Sequence, residues 1–315
     1  MSSHSSHIGE APLRLGTRRS LMARTQSAQV ADMLTRRTGH VVDLVGVTTE
    51  GDVSRALLAQ IGGTGVFVSG LRDRLLAGEV DFAVHSLKDL PTTPAEGIAL
   101  AAVPLRDDPR DCLCGVPGRT TKLSDLPKGA RIGTGSPRRM AQLRALRDDL
   151  EVVPIRGNAD TRLRKVQDGE LDGIVLAYAG VNRIGRVEAV AEVLDPGSML
   201  PAPGQGALAI ECRADRADLI DLLSTLDDPG TRAAVTAERA VLAALEAGCS
   251  APVGAYAAQE EQKLYLTAAV IGFDGTRQIR LSASGHPSEA ERLGRDLAAR
   301  LFAEGADQLM GEHVS

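Results

Sequence analysis

Short apolar runs alternate with helix-period patterns from residue 12 to about residue 225, the arrangement expected of an α/β fold. Leu13-Arg14-Leu15-Gly16 reads as a first strand. Leu21, Ala28, Ala31 and Leu34, spaced seven, three and three apart, predict one buried helical face behind it. A second strand is predicted over 41–47, a helix near 53–60, and buried strands over 82–85 and 98–103. The polar, Pro-rich stretch 104–109 predicts a crossing between domains. A second α/β series follows, with strands near 112–116, 131–133, 152–155 and 174–177 and helices over 137–147 and 160–167. Residues 196–206 hold three Pro and three Gly, too broken for a regular element, and 207–212 is strand-like again. From about residue 229 the texture changes to a long Ala-rich helix (231–246), two or three strands and an amphipathic helix near 289–302. That last part predicts a separate small α+β domain.

Length and composition narrow the function classes. A chain of 315 residues predicts two or three domains with ample core. No Trp, three Tyr, four Phe and a net charge of −5 argue against a nucleic-acid surface of stacked rings and basic patches. No run approaches 18 apolar residues, so no membrane span is expected. Residues 1–10 have neither the basic nor the apolar region of a signal peptide and read as a short disordered tail. Four Cys are too few for a disulfide scaffold, so a reducing cytoplasm is the expected location.

Charge changes the picture more. Only five of the 36 basic residues are Lys (88, 122, 128, 165 and 263), which leaves 31 Arg. Codon bias in a GC-rich genome would raise Arg everywhere; recognition of carboxylates or phosphates would concentrate it. Between Arg131 and Arg186, ten Arg and Lys165 stand against seven acids, a positive excess inside an acidic chain. Three of the basic segments follow predicted strands and open helices: Thr17-Arg18-Arg19-Ser20, Gly133-Thr134-Gly135-Ser136-Pro137-Arg138-Arg139, and Arg156-Gly157-Asn158-Ala159-Asp160-Thr161-Arg162. Ser136 suits an N-cap and Pro137 the first helical turn. Freed N–H groups at such starts attract anions. Ligands of open α/β sheets bind at these strand ends. No Walker motif is present, and Gly133-Thr134-Gly135 lacks the third glycine of a dinucleotide fingerprint.

Two further segments could carry chemistry. His85-Ser86-Leu87-Lys88-Asp89-Leu90-Pro91 ends a predicted strand with Lys88 beside Asp89, either a surface ion pair or an acid–base carboxylate tuned by its neighbour. Cys249 lies in the loop Gly248-Cys249-Ser250, where it is either an inert thiol or an accessible one open to covalent attachment. Cys112-Leu113-Cys114 has no His or Cys cluster near it in sequence, and no metal site is expected.

Together these segments, with Asp108-Pro109-Arg110-Asp111 and Leu200-Pro201-Ala202-Pro203-Gly204-Gln205-Gly206-Ala207, resemble the porphobilinogen deaminase (hydroxymethylbilane synthase) family over nearly the whole chain. The resemblance implies two periplasmic-binding-protein-like α/β domains flanking a cleft, plus a small C-terminal α+β domain. Domain 1 would be discontinuous (11–106 and 207–224), domain 2 would cover 107–206, and domain 3 would cover 229–315. It implies a cytoplasmic, monomeric transferase of tetrapyrrole and haem biosynthesis. Such an enzyme joins four porphobilinogen molecules head to tail onto a covalent dipyrromethane cofactor, releases ammonia at each step, and hydrolyses off linear hydroxymethylbilane. Asp89 matches the family's catalytic carboxylate, which helps the amine depart and stabilises the cationic azafulvene. Cys249 matches the thioether attachment point. Lys88, Ser136, Arg138, Arg139, Arg162 and Arg183 match cofactor-binding positions, and Arg18, Ser20, Arg156 and Phe67 match substrate-binding positions. Thr64 and Ser69 stand where many members carry Lys, Gly70 where they carry an acid, Gly135 for a Ser, Ala247 for a Gly, and Ser250 often for a Gln. The alternative is a non-catalytic two-domain polycarboxylate-binding protein, which would explain the strand-end arginines but give Asp89 and Cys249 no role.

Overall fold

The computed structural model describes residues 11–47, 66–119, 121–247 and 251–311. Its strands are β1 (Leu13–Arg18), β2 (Val42–Val47), β3 (Phe82–Ser86), β4 (Ile98–Ala102), β5 (Asp111–Cys114), β6 (Arg131–Thr134) and β7 (Glu151–Pro154). They continue as β8 (Gly173–Ala177), β9 (Val190–Val193), β10 (Leu208–Arg213), β11 (Val253–Glu260), β12 (Lys263–Ile271) and β13 (Gln278–Gly285). The helices are α1 (Leu21–Thr38), α2 (Val66–Leu76), α3 (Pro137–Leu146), α4 (Ala159–Gln167) and α5 (Tyr178–Arg183). After them come α6 (Ala217–Ser224), α7 (Pro229–Ala244), α8 (Ala290–Ala303) and α9 (Ala306–Gly311).

The chain divides into two compact units, one of residues 1–106 and 207–232 and the other of 107–206 and 233–315. The first holds a five-stranded sheet of order β2-β1-β3-β10-β4. Strands β2, β1 and β3 run parallel and β10 runs antiparallel to both its neighbours. Leu15, Phe82, Val84 and Ile210 pack on one face against Val30, Ala31 and Leu34 of α1 and Leu219 and Leu223 of α6. Ala83 faces Leu71 and Leu75 of α2 on the other.

The second unit repeats this order as β7-β6-β8-β5-β9. Again three strands are parallel, and the antiparallel one, β5, lies between β8 and β9. The same unit contains an antiparallel three-stranded sheet, β11-β12-β13, whose apolar face packs against α7, α8 and α9. Buried Glu238 of α7 fastens this sheet to the 196–206 segment: its oxygens accept from the N–H groups of Gly204 (2.7 Å) and Ala257 (2.8 Å). Two fully buried backbone donors are thereby satisfied by one carboxylate.

The buried face of α1 differs from the expectation. Leu21 is 48% exposed, Ala28 is exposed, and the buried positions are Gln26, Ser27, Val30, Ala31 and Leu34. A helix turns about 100° per residue, so steps of seven, three and three drift by about 140° and leave one face. Helix α5, strand β9 and helix α9 are short elements that the apolar spacing did not announce. The helix expected near 53–60 lies outside the described residues.

Candidate active site

In each unit the sequence-predicted site residues gather at the carboxyl ends of the parallel strands. In the first, β1 and β3 are neighbours in register (Leu15 opposite Phe82), so Arg18 and Ser20 share an edge with Lys88 and Asp89. Ser20 caps α1, its Oγ accepting from Ala23 N–H at 3.3 Å. Lys88 and Asp89 occupy a single 3₁₀ turn, Leu87–Asp89, directly after β3. The turn is held from three sides. Gln26 Nε2 donates to Ser86 Oγ (2.8 Å), Leu87 N–H donates to the Ala207 carbonyl (3.0 Å), and Leu87 and Leu90 are buried. Asp89 itself is exposed and has no partner among the described residues, so its carboxylate is available.

One strand residue before Ser86, buried His85 places Nε2 3.3 Å from Glu211 Oε2 on β10. Arg72 of α2 grips the same carboxylate with two hydrogen bonds, at 3.0 and 2.7 Å. Burial alone would raise the Glu211 carboxyl, but His85 and Arg72 outweigh it and hold it down at about 2. The backbone that carries Asp89 thus rises from a buried, charge-matched floor.

In the second unit, Ser136 and Pro137 start α3, and Asn158 starts α4 with its Oδ1 accepting from Thr161 N–H at 2.8 Å. Ser136 Oγ accepts from Arg139 N–H at 3.5 Å. Arg138 and Arg139 are buried and converge on fully buried Asp111, the first residue of β5. Burial would raise the Asp111 carboxyl. The charges of Arg138 and Arg139 and their hydrogen bonds win, and hold it well below the usual carboxylate range. Arg162 is partly buried; its Nε donates to the Gly157 carbonyl at 2.8 Å. Burial, and then the nearby charge of Arg139, depress its pKa, and no acid offsets them among the described residues. Arg156 is exposed and unpartnered among the described residues.

Arg183 is engaged differently. Its Nε donates to Asp107 Oδ2 (2.8 Å) and its Nη2 to the Gly206 carbonyl (2.6 Å), where Asp107 N–H also donates. It therefore ties together two of the three points at which the chain passes between units. Gly206 has φ +87, and a Cβ there would lie 2.5 Å from the Asp107 carbonyl oxygen, so no larger residue fits this crossing. Gly135 is similarly confined: a Cβ would sit 2.6 Å from the Ile155 oxygen.

Cys249 lies outside the described residues. Phe67 lies in α2, but its side chain is likewise undescribed. The remaining thiols are buried. The Cys112 thiol is pushed up by its contact with Cys114, 3.7 Å away, and by burial, while burial pushes Cys212 up to about 11. Asp111, Gln205, Glu211 and Arg72 were assigned no role from sequence. The available signal was an acid inside an apolar strand: Asp-Cys-Leu-Cys and Leu-Ala-Ile-Glu-Cys.

The sequence model described as porphobilinogen deaminase, dipyromethane cofactor binding domain, matches residues 13–221, and that of the porphobilinogen deaminase C-terminal domain matches 232–303. The chain belongs to the porphobilinogen deaminase family. It is 59% identical to the porphobilinogen deaminase of Thermobifida fusca over 96% of both chains. It is 57% identical to porphobilinogen deaminase 1 of Streptomyces coelicolor over 97% of this chain and 99% of that one. It is 52% identical to the Mycobacterium tuberculosis porphobilinogen deaminase over 95% and 98%. Among solved structures it is similar to a periplasmic substrate-binding protein of an ABC transporter from Coxiella burnetii, at 15% identity and TM-score 0.43, covering 70% of this chain and 94% of that one.

The family's cofactor domain implies a dipyrromethane, a group bearing several carboxylates. The donor set around α3 fits such a group. Arg138 and Arg139 share one buried carboxylate, Asp111, while Arg162, which feels the charge of Arg139, has no acid beside it among the described residues. An uncompensated guanidinium excess of this kind favours an anionic ligand.

Proposed function

We propose that the chain is a porphobilinogen deaminase: a transferase that joins four porphobilinogen units head to tail, releases ammonia at each joining, and frees linear hydroxymethylbilane by hydrolysis. The observation that carries this reading is the pairing of an Asp89 that is exposed and unpartnered among the described residues, on a strand end, with family matches over residues 13–221 and 232–303. Bound through Cys249, the dipyrromethane supplies the pyrrole carbon to which the first unit is joined.

The chain's own residues do the rest. Asp89 accepts the substrate's pyrrole N–H, and its negative charge offsets the cation that develops as ammonia leaves. Lys88, Ser136, Arg138, Arg139, Arg162 and Arg183 hold cofactor carboxylates, while Arg18, Ser20, Arg156 and Phe67 receive the incoming unit. For Arg183 this role requires it to share its guanidinium with Asp107. The reading retains three domains, the third of which carries Cys249. It also places a monomer in the cytoplasm; no helix among the described residues is long and apolar enough to cross a membrane.

Intact-mass measurement of the purified protein, with a colour test using an acidic pyrrole reagent, checks the proposal. A covalent dipyrromethane and further mass increments on adding porphobilinogen are expected. A chain of plain sequence mass, unchanged by porphobilinogen, would refute it.

A further inference from the structure

Both carboxylate oxygens of Asp111 accept hydrogen bonds, from the two arginines at the start of α3 and from Gln205. Oδ2 accepts from Arg138 Nη1 at 2.7 Å. Oδ1 accepts from Arg139 Nε (3.0 Å) and Nη2 (2.8 Å) and from Gln205 Nε2 (2.8 Å). Gln205 closes the ring: its Oε1 accepts from Arg139 Nη2 at 3.2 Å, and its amide also donates to the Pro109 carbonyl at 2.7 Å. Arg138 Nη1 makes a second bond to the Leu200 carbonyl, and Arg139 Nη1 donates to the Val175 carbonyl at 3.3 Å. Arg139 is thus held through Nε, Nη1 and Nη2 and Arg138 through Nη1 to two buried acceptors, with one negative charge shared between two positive ones.

We propose that Asp111, anchored by Gln205, is a positioning residue that fixes the orientation in which Arg138 and Arg139 meet the carboxylates of the cofactor. The proposal rests on the function proposed above and adds to it the residue that aims the arginines. Charge alone predicts the opposite behaviour. Removing the Asp111 carboxylate adds a net positive charge, which would favour a polyanion. Orientation predicts weaker loading, because a guanidinium that can rotate loses its two-point geometry.

The test compares wild type, Asp111→Asn and Gln205→Met, each produced without cofactor in a host that cannot make porphobilinogen. Each is then loaded with porphobilinogen or preformed hydroxymethylbilane. Two quantities are read: the rate at which intact mass shifts to the dipyrromethane-bearing form, and the rise in melting temperature on loading. A purely structural role would lower the melting temperature of loaded and unloaded forms alike and leave their difference unchanged. The expected result is loading at least tenfold slower for Asp111→Asn and about tenfold slower for Gln205→Met, with the thermal shift on loading at most half that of wild type. Loading at the wild-type rate or faster, with the full thermal shift, would overturn the proposal. If Asp111→Asn does not fold, Gln205→Met decides alone, because it keeps the residue's volume and the charge of the cluster. Failure of the wild type to load would remove the functional reading and this inference with it.

Discussion

The two α/β sheets are built to one plan and put it to different use. Both have the same strand order, and in both the antiparallel strand is the one laid down directly after the chain passes from the other unit: β10 after residue 206, β5 after residue 106. Each of these strands carries a buried acid matched to two basic groups, Glu211 with Arg72 and His85, and Asp111 with Arg138 and Arg139. In the first unit the candidate catalytic group, Asp89, stands outside that network, exposed and unpartnered among the described residues. In the second, the candidate ligand-binding cations are the network. A reacting carboxylate needs a stiff strand beneath it and freedom at its tip. Buried cations need an anion to share, because two unneutralised guanidinium groups could not be desolvated together.

The sharpest way to break this comparison is to neutralise the two aspartates in turn. Asp89→Asn should lower turnover by about a hundred- to ten-thousandfold, the usual worth of such a group. Its melting temperature should stay near wild type, since an exposed residue without partners contributes little stability. Asp111→Asn should do the reverse to stability, costing about 3–5 kcal/mol by leaving buried charge unmatched. Turnover assays alongside urea melts check both. A stable Asp111→Asn, or an Asp89→Asn that unfolds, would show that the two roles have been exchanged.

Glu211 provides a smaller effect with a pH signature. Its carboxyl is held at about 2 in the fold, below the ordinary Glu value of 4.5 that it regains when the chain unfolds. The lowered group stabilises the fold fully above about pH 4.5, and that contribution is lost as pH falls from there toward 2. Roughly 3 kcal/mol is at stake. Glu211→Gln should therefore be less stable than wild type at pH 7, and the gap should narrow as urea melts are repeated from pH 6 down to pH 3.5. A gap that stays constant over that range would mean that the Arg72 and His85 contacts stabilise by packing and not by charge.

What could be read from sequence follows the range of the interaction. All strands of the two five-stranded sheets except β9 were legible because each is an apolar run, and the cap Ser136 because a cap is decided within three residues. The strand-end loops that carry Arg18, Asp89, Arg138 and Arg156 were legible by the same local grammar. The networks were not, since their partners lie 27 residues apart for Arg138 and Asp111, 94 for Gln205 and Asp111, and 139 for Arg72 and Glu211. No periodicity reports such a pairing. An acid in an apolar strand signals that some partner exists, but only the fold says which. The α1 face went astray for a related reason: intervals of three counted as helical neighbours accumulate a drift that the packing of Val30, Ala31 and Leu34 does not tolerate.

Helices α4 and α1, one from each unit, also differ, more mildly, in how tightly they are started. Asn158 Oδ1 accepts from Thr161 N–H at 2.8 Å, whereas the Ser20 cap of α1 is stretched to 3.3 Å. A hydrogen bond weakens as it lengthens beyond about 3 Å. The nine-residue α4 buries only Leu163 and Val166, while α1 runs for 18 residues and buries Gln26, Ser27, Val30, Ala31 and Leu34. Asn158→Ala should therefore cost about 1 kcal/mol, and Ser20→Ala only a few tenths. Hydrogen exchange localises the result: protection should fall at the Thr161 amide in the first variant and change little at Ala23 in the second. Equal losses would mean that both caps hold with the same strength and that the loop at Arg156 is no better ordered than the loop at Arg18.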